Sequence, residues 1–138
     1  MFQAFDVSTS ALVAQRARLD VIAGNVANAH ATRAADGTGE PFRRRWVRFE
    51  AAAGGNPGGP RTAPGVSFAV ETDEATPFRK VHAPGHPDAG ADGMLTLPNV
   101  DVTTEFVNAV EAARAYEANV AAVEMSKQVA EQSLRILG

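Results

Sequence analysis

Proline and glycine divide this chain more sharply than any motif in it. All eight prolines lie between Pro41 and Pro98, and ten of the twelve glycines lie between Arg33 and Pro98. Proline removes a helix donor and clashes with the preceding turn, and glycine costs backbone entropy, so both oppose helix interiors. The middle therefore reads as turns and short strands, and the two ends as helices. Three segments follow: 1–32, 33–98 and 99–138, with the first and last forming one structural unit. The expected fold class is mainly α with a small β insertion. Two long terminal helices pair as a coiled-coil-like unit, and a short-stranded β element lies between them.

Both ends carry heptad spacing. Phe5, Leu12, Leu19 and Val26 recur every seven residues, and Ile22 stands three beyond Leu19, although Gln15 interrupts its stripe. Ser8, Thr9 or Ser10 suits the cap of a helix running from Ser8 to Asn28, roughly 30 Å long. Arg16 and Asp20 are placed to pair across one turn. At the other end one stripe is Phe106, Ala113, Val120, Lys127 and Leu134, and the other is Ala109, Tyr116, Val123, Ala130 and Leu137. Asp101 suits the N-cap, Glu131 and Arg135 suit an i,i+4 pair, and the helix would be roughly 55 Å long. The middle offers little core for helices of that length, so their stripes are expected to pack on each other and on neighbouring copies. Without such partners the ends of an isolated chain should be largely disordered and the middle ordered. Glu105, Glu111, Glu117, Glu124 and Glu131 are spread along the helix and suit a solvated or intersubunit face.

In the middle, Gly65–Glu71 alternates, with Val66, Phe68 and Val70 on one face. Phe42–Glu50, Phe78–His82 and Met94–Leu97 are further strand candidates, and Gly54–Pro60 reads as a loop.

Assembled chemistry is not evident. The chain has 138 residues, 45% hydrophobic and 21% charged, and no cysteine. A disulfide framework, a thiol nucleophile and a thiolate metal site are thereby excluded. No apolar run approaches the roughly 20 residues that cross a bilayer, and Met1–Asp6 lacks the features of a cleaved signal peptide. Arg43-Arg44-Arg45-Trp46-Val47-Arg48 is the concentrated basic run, but thirteen basic residues against sixteen acidic ones give a net charge of -3. That balance argues against a nucleic-acid partner. His82, His86 and Asp88 stand close in sequence, yet Pro84 and Pro87 forbid a helical histidine pair, so an exposed turn is the expected state. No phosphate-binding glycine loop or nucleophile elbow is found, and neither an enzyme nor a cofactor site is expected.

Ser10–Arg16 leads into Arg18–Ala29 with paired asparagines at Asn25 and Asn28, and Glu111–Asn119 answers it near the other end. These segments resemble the terminal signatures of bacterial flagellar rod, hook and filament-junction proteins. Pro84–Ala89, Gly93 and Pro98-Asn99-Val100 point more narrowly to proximal rod proteins, whereas Asp36–Pro64 carries no resemblance. The resemblance implies a structural subunit of the periplasmic rod, polymerising into the shaft that passes torque from rotor to hook. The resemblance further implies export through the flagellar type III apparatus without a cleaved signal peptide. It also implies partners: FlgB, FlgF, FlgG, the ring-to-rod adaptor FliE, and further copies of the chain. The expected assembly interface comprises Leu12, Leu19, Ile22, Asn25, Val26, Asn28, Phe106, Arg114, Tyr116, Asn119, Val120, Val123, Lys127, Leu134 and Leu137. Of these, Asn25, Asn28, Arg114 and Asn119 would fix register by hydrogen bonds, and Lys127 would pair with a neighbouring acid. The rival readings are a self-contained cytoplasmic helical interaction module and a small nucleic-acid binder using Arg43–Arg48.

Overall fold

The structure, a computed structural model, describes residues 2–33, 39–52 and 65–137. The loop expected over 54–60 lies outside the described residues. The element order is α1 (Phe2–Ala27), β1 (Arg45–Ala52), β2 (Gly65–Thr72), β3 (Arg79–His82), β4 (Met94–Leu97) and α2 (Val102–Leu137). The fold is mainly helical, with two two-stranded sheets, β1–β2 and β3–β4, between the helices.

Helix α1 begins six residues earlier than its cap candidates suggested. Ser8, Thr9 and Ser10 are interior to it. Ser10 turns its hydroxyl back to donate to the Val7 carbonyl at 2.7 Å, and accepts the Val66 N–H at 2.9 Å. The hydroxyl thus ties the start of β2 to the helix instead of capping it. The approach is close, since a Cβ added to Gly65 would lie 3.0 Å from Ser10 Oγ. Beyond Ala27, Asn28 closes the helix by donating from both its main chain (3.1 Å) and its side chain (2.8 Å) to the Gly24 carbonyl.

Helix α2 runs for 36 residues from the expected cap. Asp101 accepts the Thr103 N–H at 3.2 Å and the Thr104 hydroxyl at 2.6 Å, led by the second of these in holding its carboxyl below the ordinary value. Among the described residues the pairs expected along the helices are replaced. Arg18 meets Glu111 at 3.3 Å where Arg16–Asp20 was expected, and Glu131 lies 3.9 Å from Lys127 where Arg135 was expected. Exposed i,i+4 pairs contribute only about 0.3–0.5 kcal/mol, too little to fix one partner over another.

Strand β2 falls where the alternation placed it, and β4 at the candidate Met94–Leu97. Strand β1 starts three residues after Phe42 because the Arg44 N–H donates to Asn99 Oδ1 at 2.7 Å and its carbonyl accepts from Asp73 N at 2.8 Å. β3 and β4 are antiparallel, from Arg79↔Leu97 to His82↔Met94. Gly93 closes their connection at φ 69°, where a side chain would meet the His82 ring at 3.2 Å.

Two compact units are distinguished. One holds α1 up to Leu19, β1 from Val47, β2 up to Ala69 and α2 from Val110; the buried Ala14 and Ala112 lie in it. The other holds Asp20–Trp46 and Val70–Ala109, with Ile22, Ala29, Leu95, Leu97, Pro98 and Val100 buried.

Candidate assembly site: a polar node and the helix faces

The second unit is organised around three polar side chains withdrawn from water. Asn25 and Glu105 are 0% exposed, and Asn99 is also buried. A side-chain amide is chemically a peptide group, and Asn25 acts as one. Its Oδ1 accepts the Arg45 N–H at 2.9 Å while its Nδ2 donates to the Arg45 carbonyl at 2.7 Å, so it pairs with the first residue of β1 as a neighbouring strand would. The second Nδ2 hydrogen goes to Glu105 Oε2 at 2.9 Å, and Arg44 Nε donates to Glu105 Oε1 at 2.7 Å. Asn99 accepts from Arg44 N and donates to the carbonyls of Asp73 and Thr76, each at 3.1 Å. Asp73 itself accepts from Thr76 main chain and hydroxyl and from Ala75, which holds its carboxyl below the ordinary range.

A buried charge survives only when paired and hydrogen-bonded. Glu105 meets both conditions, and this corrects its expected place on a solvated or intersubunit face. Arg44, Asn99 and Glu105 were missing from the expected site. The available signal was spacing: Glu105 stands four residues before Ala109, the other position a heptad allows for a partner stripe.

That alternative spacing governs the whole of α2. The face turned inward carries Glu105, Ala112, Asn119, Ser126 and Ser133, together with the expected Ala109, Val123 and Ala130. Asn119, Ser126 and Ser133 donate to the carbonyls four residues earlier, at 2.9, 2.8 and 2.8 Å, so they need no partner from another element. The stripe chosen from apolar character is turned outward: Phe106 is 61% exposed and Leu134 70%, with Lys127 also exposed and Ala113 and Val120 half-buried. Tyr116 and Arg114 are exposed, and the Leu137 side chain lies outside the described residues. Among the described side chains of α1 the buried positions are Ala14, Ile22 and Asn25, while Phe5, Leu12, Leu19 and Val26, and Asn28 just beyond the helix, are half-buried. On α2 small residues and locally satisfied polar ones make the internal contacts, and much of the large apolar surface faces away.

The arginine run is spent inside the chain. Arg43 lies over the Phe78 ring at 4.3 Å, Arg45 over Phe42 at 5.4 Å, and Arg48 pairs with Glu50 at 3.1 Å. Asp88 accepts from the Thr32 hydroxyl at 2.7 Å and from Arg33, and the first of these does most to lower its carboxyl pKa. His86 Nδ1 accepts the Asp88 N–H at 3.1 Å. This turn is a clasp between the segment after α1 and the β3–β4 connection.

Two family models match the chain: flagella basal body rod protein over residues 5–34, and flagellar basal body rod FlgEFG protein C-terminal over residues 91–136. Asn25, Asn99 and Glu105 fall within the matched segments, and Arg44 between them. The flagellar basal-body rod protein FlgC of Yersinia enterocolitica is 42% identical over 132 residues, covering 96% of this chain and 94% of that protein. The Bacillus subtilis FlgC is 37% identical over 150 residues, with 98% and 97% covered, and the Salmonella typhimurium FlgC 38% over 132 residues, with 96% and 94% covered. The chain is a flagellar basal-body rod protein, a structural subunit and not an enzyme. Within that class it belongs to the FlgC family.

Proposed function

We propose that this chain is a subunit of the proximal rod, polymerising in the periplasm into the shaft that carries torque from rotor to hook. The observation that supports this reading is the distribution of uncovered apolar side chains on α2. Phe106, Val110, Met125, Val129, Leu134 and Ile136 are all exposed, and they point in several directions around the helix. Large apolar side chains left uncovered among the charged ones of a helix mark surfaces that other chains can cover. Torque transfer needs many repeated contacts, and a heterologous interface that does not close produces the required helical array. Among the described residues no helix is long and apolar enough to cross a membrane.

In this reading the segments 1–32 and 99–138 form the rod core and 33–98 the outer element. The interface is drawn from Leu12, Leu19, Val26, Phe106, Tyr116, Val120 and Leu134, which are half-buried or exposed in the free chain, whereas Val123 lies on the inward face. Ile22 and Asn25 act inside the subunit. The partners are further copies, the rod proteins FlgB, FlgF and FlgG, the adaptor FliE and the flagellar type III export apparatus. Deleting the chain should abolish motility and leave basal bodies without a rod in electron micrographs. Complete rods in the deletion strain would refute the reading.

A further inference from the structure

We infer that the insertion is a folding template, which orders the end of α1 and the start of α2 together in the free subunit. The polar node draws on three stretches far apart in sequence. Asn25 comes from α1, Arg44 and Arg45 from the entry to β1, and Glu105 from α2, 80 residues from Asn25. Each group is satisfied only when the other stretches are in place. Without Arg44, Glu105 would be a buried carboxylate without its cation. Without Asn25, both main-chain groups of Arg45 would lose their partner. Leaving buried polar groups unmet is costly enough that no partial version of the node persists, so the three stretches order as one cooperative unit.

The distal half of α2 has no such fastening. Its inward polar residues bond to their own helix, and Met125, Val129, Leu134 and Ile136 stand exposed. On this inference, a gradient takes the place of ends that are largely disordered in the free chain. The roots of the helices are fixed before any neighbour arrives, and the far turns become ordered on assembly. That last consequence rests on the rod reading, whereas the coupling itself does not.

Hydrogen exchange on the full-length chain, at a concentration where sedimentation shows a monomer, tests the coupling without any appeal to motility. In the unaltered chain residues 21–28 and 102–109 should be protected together, with 125–136 exchanging fast. Asn25→Leu should lower protection at 102–109 by roughly 100-fold, as much as at 21–28. The milder Glu105→Gln keeps an acceptor for Asn25 and should lower both stretches by roughly tenfold. Lys80→Ala, at an exposed position, should change neither. Loss confined to 21–28 in Asn25→Leu, or 102–109 exchanging as fast as 125–136 in the unaltered chain, would overturn the inference. Should Asn25→Leu unfold the β3–β4 hairpin as well, Glu105→Gln decides: equal loss in both stretches supports the coupling, and loss at 102–109 alone removes it.

Discussion

The start of α2 and its far half solve opposite problems with the same helix. At the start, a carboxylate is sealed from water and every hydrogen bond it needs comes from within the chain. In the far half, the polar residues of the inner face, Ser126 and Ser133, bond to their own helix, while Ile136 is left 85% exposed. On the proposed reading, the contrast lets one sequence be stable as a subunit and still adhesive as a polymer. Polar matching gives specificity inside, where only one arrangement satisfies all groups. On that reading, apolar area is held back for contacts whose number matters more than their individual geometry.

The sharpest way to break the contrast is to remove the cation at the start. Arg44→Met leaves Glu105 buried without its ion-pair partner and should destabilise the free chain by about 3–5 kcal/mol in urea unfolding. An effect below about 1 kcal/mol would mean that water reaches Glu105 and that the node is an ordinary surface contact. Leu134→Asp makes the converse test. Because Leu134 is exposed, unfolding of the free chain should shift by less than about 0.5 kcal/mol. Rod assembly should nevertheless be lost, since an unpaired charge in an enclosed seam costs several kcal/mol, of order 3–5. Normal rods, scored by electron microscopy and swimming, would place Leu134 at the rod surface.

How these differences were legible in the sequence depends on the residue. The helices at both ends, the Asp101 cap, and the strands at Val66–Val70 and Met94–Leu97 follow from breakers, capping chemistry and alternation, all of which act locally. The inner face of α2 does not, because a heptad stripe has permitted partners both three and four residues away. Apolar character selected Phe106, Val120 and Leu134, whereas the chain uses Glu105, Ala112 and Asn119. Whether a glutamate is buried depends on an arginine 61 residues away, and no local pattern encodes that pairing. Large exposed side chains mislead for a related reason: in a subunit built to polymerise, apolar character marks surfaces that neighbours will cover as well as the subunit's own core.

The acid limb of stability should come from carboxyls outside the buried node. Asp73, Asp88 and Asp101 all have folded-state pKa values lowered from the ordinary 3.8. A lowered carboxyl contributes stability that is full above its unfolded value and is lost as pH falls through that value toward the folded one. Unfolding free energy should thus hold between about pH 7 and about pH 5, and decline below about pH 4. Asp101→Asn, which removes one titrating group but keeps a capping oxygen, should make the decline shallower while leaving stability near neutrality little changed. An unchanged acid limb would exclude Asp101 as a contributor.

The smallest effect is expected at Lys127, the charged member of the outward stripe. Sequence spacing suggested a register device paired with an acid on a neighbouring chain. In the free subunit its ammonium is exposed and stands 3.9 Å from Glu131, a separation at which the pair contributes little. Lys127→Leu should therefore alter the stability of the free chain by less than about 0.5 kcal/mol. Its consequence, if it has one, belongs to assembly. Leucine would join Val120 and Leu134 in a continuous apolar stripe, and such a stripe tolerates slipped alignments that a lysine resists. Rods of the variant should form at least as readily, but with aberrant lengths or packing in electron micrographs. Rods of normal form, with normal swimming, would show that Lys127 stays solvated in the polymer. Register would then fall to half-buried positions that both helices still present, Asn28 and Asn119, whose side-chain amides each donate to their own helix and retain an oxygen for a neighbour.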